Sequence, residues 1–395
     1  MPVLRLKAGR DRSVRRRHPW IFSGAVASME GDVQPGETVE VLSDGGEWLA
    51  RAAISPSSQI RARIWTWNRA DEVGPDLLRR RWQAAREARL PWLTGGEATA
   101  FREIHGESDG LPGVIVDRYG AYRVIQLLTA GAEAWRGELL ELAAADPDIL
   151  GVYERSDADV RELEGLAPRS GVASGDVPPE PVEIVEHGLR FQVDLRRGQK
   201  TGFYLDQREN RRLVGELAAG AEVLDCFAYT GGFSVAVLHR GAVGVRALDS
   251  SEPALALAAA NVRLNRLPED RWRAQQGDAF EELRRLRDAR QSYDLIILDP
   301  PRFAATPAHA GRAARAYKDI NLLAFKLLRP GGRLATFSCS SGVGPELFQK
   351  IVAGAALDAG VDASIQAWLG QPADHPVGIY FPESRYLKGL VCRVG

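Results

Sequence analysis

The chain has 395 residues, 45% of them apolar and 26% charged, with a formal net charge of −1. That apolar share suffices for packed cores, the length suggests two or three domains, and no stretch approaches the ~20 consecutive apolar residues that a membrane-spanning helix needs. Three cysteines, Cys226, Cys339 and Cys392, are too few and too scattered for a disulfide framework or a zinc site, so a soluble, reducing, cytoplasmic setting without a metal is expected.

The near-neutral total hides an asymmetry. Residues 1–70 hold 11 Lys/Arg against 7 Asp/Glu, a balance of +4, which leaves 40 against 45, or −5, for the remainder. The excess is concentrated at Arg5, Lys7, Arg10, Arg12, Arg15, Arg16 and Arg17. No apolar core segment follows, so this is not a secretory signal. A solvated basic arm would explain the cluster, but His18-Pro19-Trp20-Ile21-Phe22 places aromatic and apolar groups directly after it. Such a pairing suits RNA: cations neutralise phosphates, and Arg15, Arg16, Arg17 and His18 are the candidate contacts. From Thr38 to Trp67 short alternating segments are separated by Asp44-Gly45-Gly46 and Pro56-Ser57-Ser58, which predicts a small β-barrel over residues 1–70. Trp65 and Trp67 are read as packing residues.

Residues 71–181 read as a middle α+β domain. A helix is predicted over 75–92, with Leu77, Leu78, Trp82 and Ala85 on its apolar stripe and Arg79-Arg80-Arg81 as a wet face. Strands are predicted around Gly113 to Val116, Tyr122 to Leu128 and Ile149 to Glu154, with a helix through Trp135 to Leu142. Ser170 to Pro181, rich in glycine and proline, predicts an exposed loop.

From residue 182 to 395 strand and helix alternate, which predicts an α/β domain with a doubly wound sheet. Val223-Leu224-Asp225-Cys226 reads as a strand, and Phe227-Ala228-Tyr229-Thr230-Gly231-Gly232 as a tight turn into a helix that starts near Phe233. A second strand ends at Asp249, 24 residues after Asp225, near the spacing at which an acid meets a cofactor ribose. Asp278 follows a third strand and suits an adenine. The run Leu295 to Leu298 ends at Asp299-Pro300-Pro301-Arg302-Phe303. Prolines cannot continue a central strand, so Asp299 is displayed at its carboxyl end, where open α/β sheets bind ligands. Each acid alone is most simply a solvated strand-end residue; the four together favour a site.

Cysteine is by default a small buried hydrophobe, and Cys226 and Cys392 keep that reading. Cys339 differs: it ends the strand Leu334 to Phe337, between serines and before a glycine turn. A thiolate there suits attack on a pyrimidine. Carbon 5 of cytosine is too electron-poor to accept a methyl group directly, and addition of a thiolate at carbon 6 makes it enamine-like. Asp299 is the candidate acid facing N3 or the exocyclic amine. A water, or a carboxylate such as Glu383, would remove the carbon 5 proton.

An Asp-Pro-Pro-aromatic stop is typical of methyltransferases that set a nucleobase beside S-adenosylmethionine. Over nearly the whole chain the sequence resembles the bacterial large-subunit (23S) rRNA cytosine-C5 methyltransferases of the RlmI type. The resemblance is carried by Gly198 to Arg208, Phe227 to Phe233, Asp299-Pro300-Pro301, Tyr317 to Asn321, Phe337 to Ser340, Ala373-Asp374-His375-Pro376 and Tyr386-Leu387-Lys388-Gly389. It implies a class I S-adenosylmethionine methyltransferase domain with a Rossmann-like sheet, a PUA domain at the N-terminus, a cysteine nucleophile at Cys339, and for many members a homodimer. Its substrate would be 23S rRNA or a large-subunit assembly intermediate. Cofactor contacts are expected from Tyr204, Gln207, Asp225, Phe227, Ala228, Tyr229, Thr230, Gly231, Phe233, Asp249, Ser250, Asp278, Ala279 and Asp299. Many RNA cytosine-C5 enzymes carry a second cysteine after the motif proline, where this chain has Arg302. Two other readings stay open: a guanine-N methyltransferase of rRNA, which needs no thiolate, and a non-catalytic RNA-binding assembly factor.

Overall fold

The structure, a computed structural model, describes residues 1–93, 98–303 and 310–395. The chain forms two compact units. The first comprises Met1–Val185 with Val193–Leu205 and Ala373–Ser384; the second comprises Glu186–Gln192, Asp206–Pro372 and Arg385–Gly395.

The first unit opens with β1 (Val3–Leu6), α1 (Arg12–Arg15), β2 (Trp20–Phe22), β3 (Val26–Glu30), β4 (Thr38–Leu42), β5 (Trp48–Ile54) and β6 (Ile60–Thr66). These strands make one six-stranded sheet in the order β2-β6-β5-β4-β1-β3. The alternation seen in the sequence is the pleat itself, with Val39 and Val41 inward and Thr38, Glu40 and Leu42 less buried. Leu4, Leu6, Val14, Ile21, Val39, Val41 and Ile64 form its core.

Next come α2 (Pro75–Leu93), β7 (Ala100–His105), β8 (Val114–Tyr119), β9 (Tyr122–Leu127), α3 (Ala130–Ala134), α4 (Arg136–Ala144), β10 (Gly151–Ser156), α5 (Val160–Leu163) and β11 (Arg169–Gly175). Leu78, Trp82 and Ala85 of α2 pack with Trp65, Ile104 and Val116. The wet face expected of Arg79-Arg80-Arg81 holds for the first two, whereas Arg81 is half-buried and donates to the Gly110 carbonyl. The predicted loop over 170–181 is corrected in its first half. Residues 169–175 are the edge strand β11, antiparallel to β10 with a register shift at Val152/Tyr153. The ladder uses backbone groups alone, so a glycine-rich edge can pair without an apolar pattern. Further on, β12 (Val182–Glu186) and β13 (Leu189–Val193) form a hairpin.

The second unit is built from α6 (Arg208–Gly215), β14 (Glu222–Cys226), α7 (Gly232–His239), β15 (Gly244–Asp249), α8 (Glu252–Leu264), β16 (Trp272–Gln276), α9 (Ala279–Asp288), β17 (Tyr293–Leu298), α10 (Ala310–Leu327), β18 (Leu328–Ser338), α11 (Pro345–Ala359), β19 (Ala363–Gly370) and β20 (Lys388–Val394). Seven strands lie in the order β16-β15-β14-β17-β18-β20-β19. The first five are mutually parallel, and β20 runs antiparallel to both its neighbours. Leu224, Cys226, Ile296, Leu298 and Leu334 of the sheet pack with α9, α10 and α11 on one face. Ala247 packs with Leu255 of α8 on the other. Helices on both faces make the sheet doubly wound, and both faces being covered explains the unbroken apolar runs of its strands. Among the described residues no helix is long and apolar enough to cross a membrane.

Candidate active site

The strand order reverses between β14 and β17, because the chain proceeds from β14 outward to β16 and then returns to lay β17 on the other side of β14. Ligand clefts of open α/β sheets form at such a switch point, outside the carboxyl ends of the strands. Cys226 and Leu298 are register partners there, and the Asp299 amide donates to the Cys226 carbonyl at 3.5 Å. Leu298 is paired in turn with Thr336 of β18, three residues before Cys339. Asp225, Asp249, Asp299 and Cys339 therefore lie at the same end of four adjacent strands.

The turn after β14 is held in an unusual conformation. Phe227 has φ 62 and Tyr229 φ 48, a left-handed region that costs non-glycine residues energy and is kept only where the surroundings enforce it. The Ala228 amide donates to the Leu248 carbonyl at 3.1 Å, and the Tyr229 amide donates to Asp249 Oδ2 at 2.8 Å. The other oxygen of Asp249 accepts from the Ser251 amide at 2.9 Å. Asn261, fully buried, donates to the Thr230 carbonyl at 3.0 Å. Gly231 closes the turn at φ 77, and a Cβ there would stand 2.8 Å from that of Ala258, so the position admits only glycine. Phe233, on α7, is buried and its ring lies 5.5 Å from Phe337.

Within this turn two buried polar atoms lack a partner among the described residues: Asp225 Oδ1 and Thr230 Oγ1. The other oxygen of Asp225 accepts from Ser234 at 2.7 Å. Burial pushes the Asp225 carboxyl up to about 7; the Ser234 hydrogen bond opposes this, and the negative charges of Asp299 and Asp249 add to it. A buried carboxyl and hydroxyl left with free valences fit a ligand that brings donors and positive charge. S-adenosylmethionine brings an ammonium and a sulfonium, so the lining fits that cofactor. Asp278 has a structural duty as well. It is the N-cap of α9, and its Oδ1 accepts from Phe280 at 2.8 Å and Glu281 at 3.1 Å. Ala279, next to it, is buried, whereas Ser250 is exposed.

The three thiols are not equivalent. Cys226 and Cys392 are buried, and burial pushes the first well above the ordinary thiol range and the second up to about 11. Both are held neutral and shielded, and a neutral shielded thiol is a poor nucleophile. Cys339 is partly exposed. It sits in a turn fastened at Ser340, whose carbonyl accepts from Lys388 Nζ at 2.7 Å. The Ser340 hydroxyl lies 3.0 Å from that of Tyr317. Lys388 is buried, and its ammonium is pushed down to about 8 by burial, with the nearby Cys339 opposing that shift. Tyr317 is fully buried; burial raises its hydroxyl, hydrogen bonds to Ser338 and Ser340 oppose this, and charge on Cys339 and Asp299 adds. Phe303, ending the Asp-Pro-Pro-Arg-Phe stop, packs on Tyr317 with ring centroids 4.8 Å apart.

Comparison with known proteins matches these features. Residues 168–363 fit an S-adenosylmethionine-dependent methyltransferase family, and residues 4–67 fit a PUA-like domain. The chain is 49% identical over 391 residues to ribosomal RNA large subunit methyltransferase I of Erwinia tasmaniensis, covering 98% of each. It is 48% identical to the protein of the same name from Aeromonas salmonicida, again covering 98% of each. The chain belongs to the ribosomal RNA large subunit methyltransferase I family. A SAM-dependent methyltransferase of Streptococcus mutans shares the fold over the whole of both chains (TM-score 0.86, 22% identity). So does a methyltransferase solved with SAH (TM-score 0.88, 23% identity). The protein is thus a class I S-adenosylmethionine-dependent methyltransferase with a PUA-like N-terminal domain.

The other residues expected to serve this family member are placed as follows. Gln207 belongs to the second unit, is buried, and accepts from Asn210 at 2.6 Å while its own Nε2 has no partner among the described residues. Tyr204 belongs to the first unit, where its hydroxyl donates to Gln199 and Lys200 Nζ lies 4.3 Å from its ring. Arg15 is committed to protein: it holds Asp11 at 2.7 Å and Glu47 at 2.5 Å. Arg16 and Arg17 are exposed, and His18 Nε2 lies 3.1 Å from Glu383. Glu383, named above as a candidate base, is therefore engaged within the first unit beside His18. Tyr317 and Lys388 received no role from the sequence. Each lies in a stretch that carries the family resemblance, but only the fold brings both onto Ser340.

Proposed function

We propose that this enzyme methylates carbon 5 of a cytosine in large-subunit rRNA, with Cys339 as the nucleophile. The observation that carries the proposal is the difference among the thiols: Cys339 alone is accessible, and it ends β18 beside the strand that displays Asp299. The names of relatives at 49% and 48% identity support rRNA as the substrate.

The bound cofactor supplies an electrophilic methyl group. The chain's own residues do the rest. Cys339 adds as thiolate to carbon 6 of cytosine, and the electron pair of the 5,6 double bond becomes available at carbon 5. Asp299, beside it, holds the exocyclic amine or protonated N3 and so balances the charge that develops on the ring. After transfer, loss of the carbon 5 proton to water returns the electron pair, restores the double bond and expels the thiolate. The ammonium of Lys388, hydrogen-bonded to the carbonyl of Ser340, places a cation next to the thiol and favours its ionised form. Exposed Arg16 and Arg17 suit RNA phosphates.

The test is a trap. RNA carrying 5-fluorocytosine at the target blocks the last step, because fluorine cannot leave as a proton. Wild-type protein is expected to form an adduct on the Cys339 peptide, and Cys339→Ala to form none while it still binds S-adenosylhomocysteine. Full methylation by Cys339→Ala would move the assignment to a nitrogen of guanine, where no thiolate is required.

A further inference from the structure

The end of the seven-stranded sheet opposite the acids gathers the other sign of charge. A cleft of about 370 Å³ opens there, lined by Arg246, Arg271, Arg273 and Arg329 together with Tyr293, and bounded by the acids Glu222 and Asp270. Its size falls in the lower part of the range of small-molecule sites. Arg329 is neutralised by Asp294 at 2.6 Å. The other three are not. Among the described residues Arg246, Arg271 and Arg273 form no ion pair, and the side-chain partner of Arg246 is the neutral Gln275 at 3.5 Å.

Two features make this more than a wet basic surface. Arg246 of β15 and Arg273 of β16 are register partners on adjacent parallel strands, so they stand side by side on one face of the sheet. Like charges in that relation repel, and a sheet tolerates them best when an anion sits between. Tyr293 supplies the second feature. It is 5% exposed, and its hydroxyl has no hydrogen-bond partner among the described residues. Burial raises that hydroxyl's pKa, and the charges of Arg246 and Arg329 oppose the shift, that of Arg246 the more strongly. The Tyr293 ring packs in the core of the sheet, so the residue brings to the wall of the cleft a buried hydroxyl that the core leaves unsatisfied and that feels the charges of Arg246 and Arg329.

We propose that this cleft binds a phosphate-bearing ligand, with Arg246 and Arg273 gripping the phosphate oxygens and the Tyr293 hydroxyl donating to the same group. A phosphate would turn the repulsion between the two arginines into charge-assisted hydrogen bonds, for which the planar guanidinium is well suited. The group can come from a free nucleotide or from the RNA backbone. Both present the same oxygens, and the arms of the test separate them.

The full-length protein is titrated calorimetrically with pyrophosphate and, separately, with a 5′-phosphorylated trinucleotide of RNA. Saturable binding of at least one probe is expected, weakened tenfold or more in Arg246→Gln/Arg273→Gln and several-fold in Tyr293→Phe. Tighter binding of the trinucleotide assigns the cleft to RNA; tighter or equal binding of pyrophosphate assigns it to a free phosphate compound. Unchanged affinity for S-adenosylhomocysteine shows that the variants are folded. Should the double variant fail that check, Tyr293→Phe, which keeps the ring and removes only the donor, carries the test. Failure of both probes to saturate, or binding by both variants equal to wild type, overturns the proposal.

Discussion

Replacing Asp225 with asparagine should remove a pH-dependent cost from the centre of the methyltransferase sheet. The carboxyl is 1% exposed, and burial lifts it from 3.8 to about 7. A group whose folded-state pKa lies above its unfolded value holds its proton more tightly when folded. Stability therefore falls as pH rises from about 4 through about 7, and the whole cost is present above that. At about 1.4 kcal/mol per unit, wild type should lose roughly 2–3 kcal/mol of local stability between pH 5 and pH 8 from this residue alone. Asparagine keeps the shape and can still accept from Ser234, but it carries no charge to bury. Because the chain has two compact units, a global melt would mix their transitions. The suitable measurement is hydrogen exchange of the β14 amides, Val223–Cys226, corrected for the intrinsic pH dependence of exchange. In Asp225→Asn their protection should be nearly level between pH 5 and pH 8, and higher than wild type at pH 8. A variant that keeps the wild-type slope would show that the pH dependence originates elsewhere.

Other consequences can be measured independently. Asp249→Ala should weaken S-adenosylhomocysteine binding by about 1.5–3 kcal/mol, the range for hydrogen bonds to charged groups, and should loosen the Tyr229 amide as well; unchanged affinity in folded protein would remove Asp249 from the site. Lys388→Met should raise the apparent pKa of Cys339, read as its alkylation rate against pH, by roughly one unit or more, and Lys388→Arg should restore most of it. The buried Cys226 and Cys392 peptides serve as slow controls, and an unmoved Cys339 profile would leave Lys388 a merely structural tether. Arg16→Gln/Arg17→Gln should lower the slope of log affinity against log salt for RNA by about one to two, whereas Arg15, tied to Asp11 and Glu47, should contribute little; an unchanged slope would mean the arm does not touch phosphate.

Much of this was legible in the sequence because the signals are local. The period of two in Thr38 to Leu42, and proline stops such as Asp299-Pro300-Pro301, depend on neighbours within a few residues. The strand ends that carry Asp225, Asp249 and Asp299 followed from the same kind of evidence. What the sequence hid depends on distant partners. β11 pairs through its backbone, so Arg169–Gly175 carries no side-chain pattern to read. Arg15 resembled its neighbours until Glu47, 32 positions away, was brought against it. Tyr317 and Lys388 converge on Ser340 from positions 23 and 48 residues distant, a relation that no window of sequence contains. Asp249 and Asp278 were read for their charge, and each also braces a turn or caps a helix, since a strand-end carboxylate next to free amides will accept from them.

The turn between β14 and α7 brings these separate costs together. Phe227 and Tyr229 occupy left-handed backbone conformations, each worth about 1–3 kcal/mol of strain. Asp225 Oδ1 and Thr230 Oγ1 are buried without partners among the described residues, each a penalty of about 1–3 kcal/mol. None of these is needed to join a strand to a helix, because an ordinary turn would do so without strain. They persist because Asp249, Asn261 and the Leu248 carbonyl force the turn into shape from three sides. The free protein thus carries unfavourable terms concentrated on four residues, Asp225, Phe227, Tyr229 and Thr230, and a donor-bearing cation can relieve those of the two unpartnered oxygens. A ligand that satisfies those oxygens binds to a turn already shaped for it, so little of its binding free energy is lost to ordering the loop. The same rigidity fixes the position of whatever the turn holds relative to Asp299 and Cys339 on the neighbouring strands. Methyl transfer needs that fixed geometry, because the reaction tolerates displacements of less than about 1 Å.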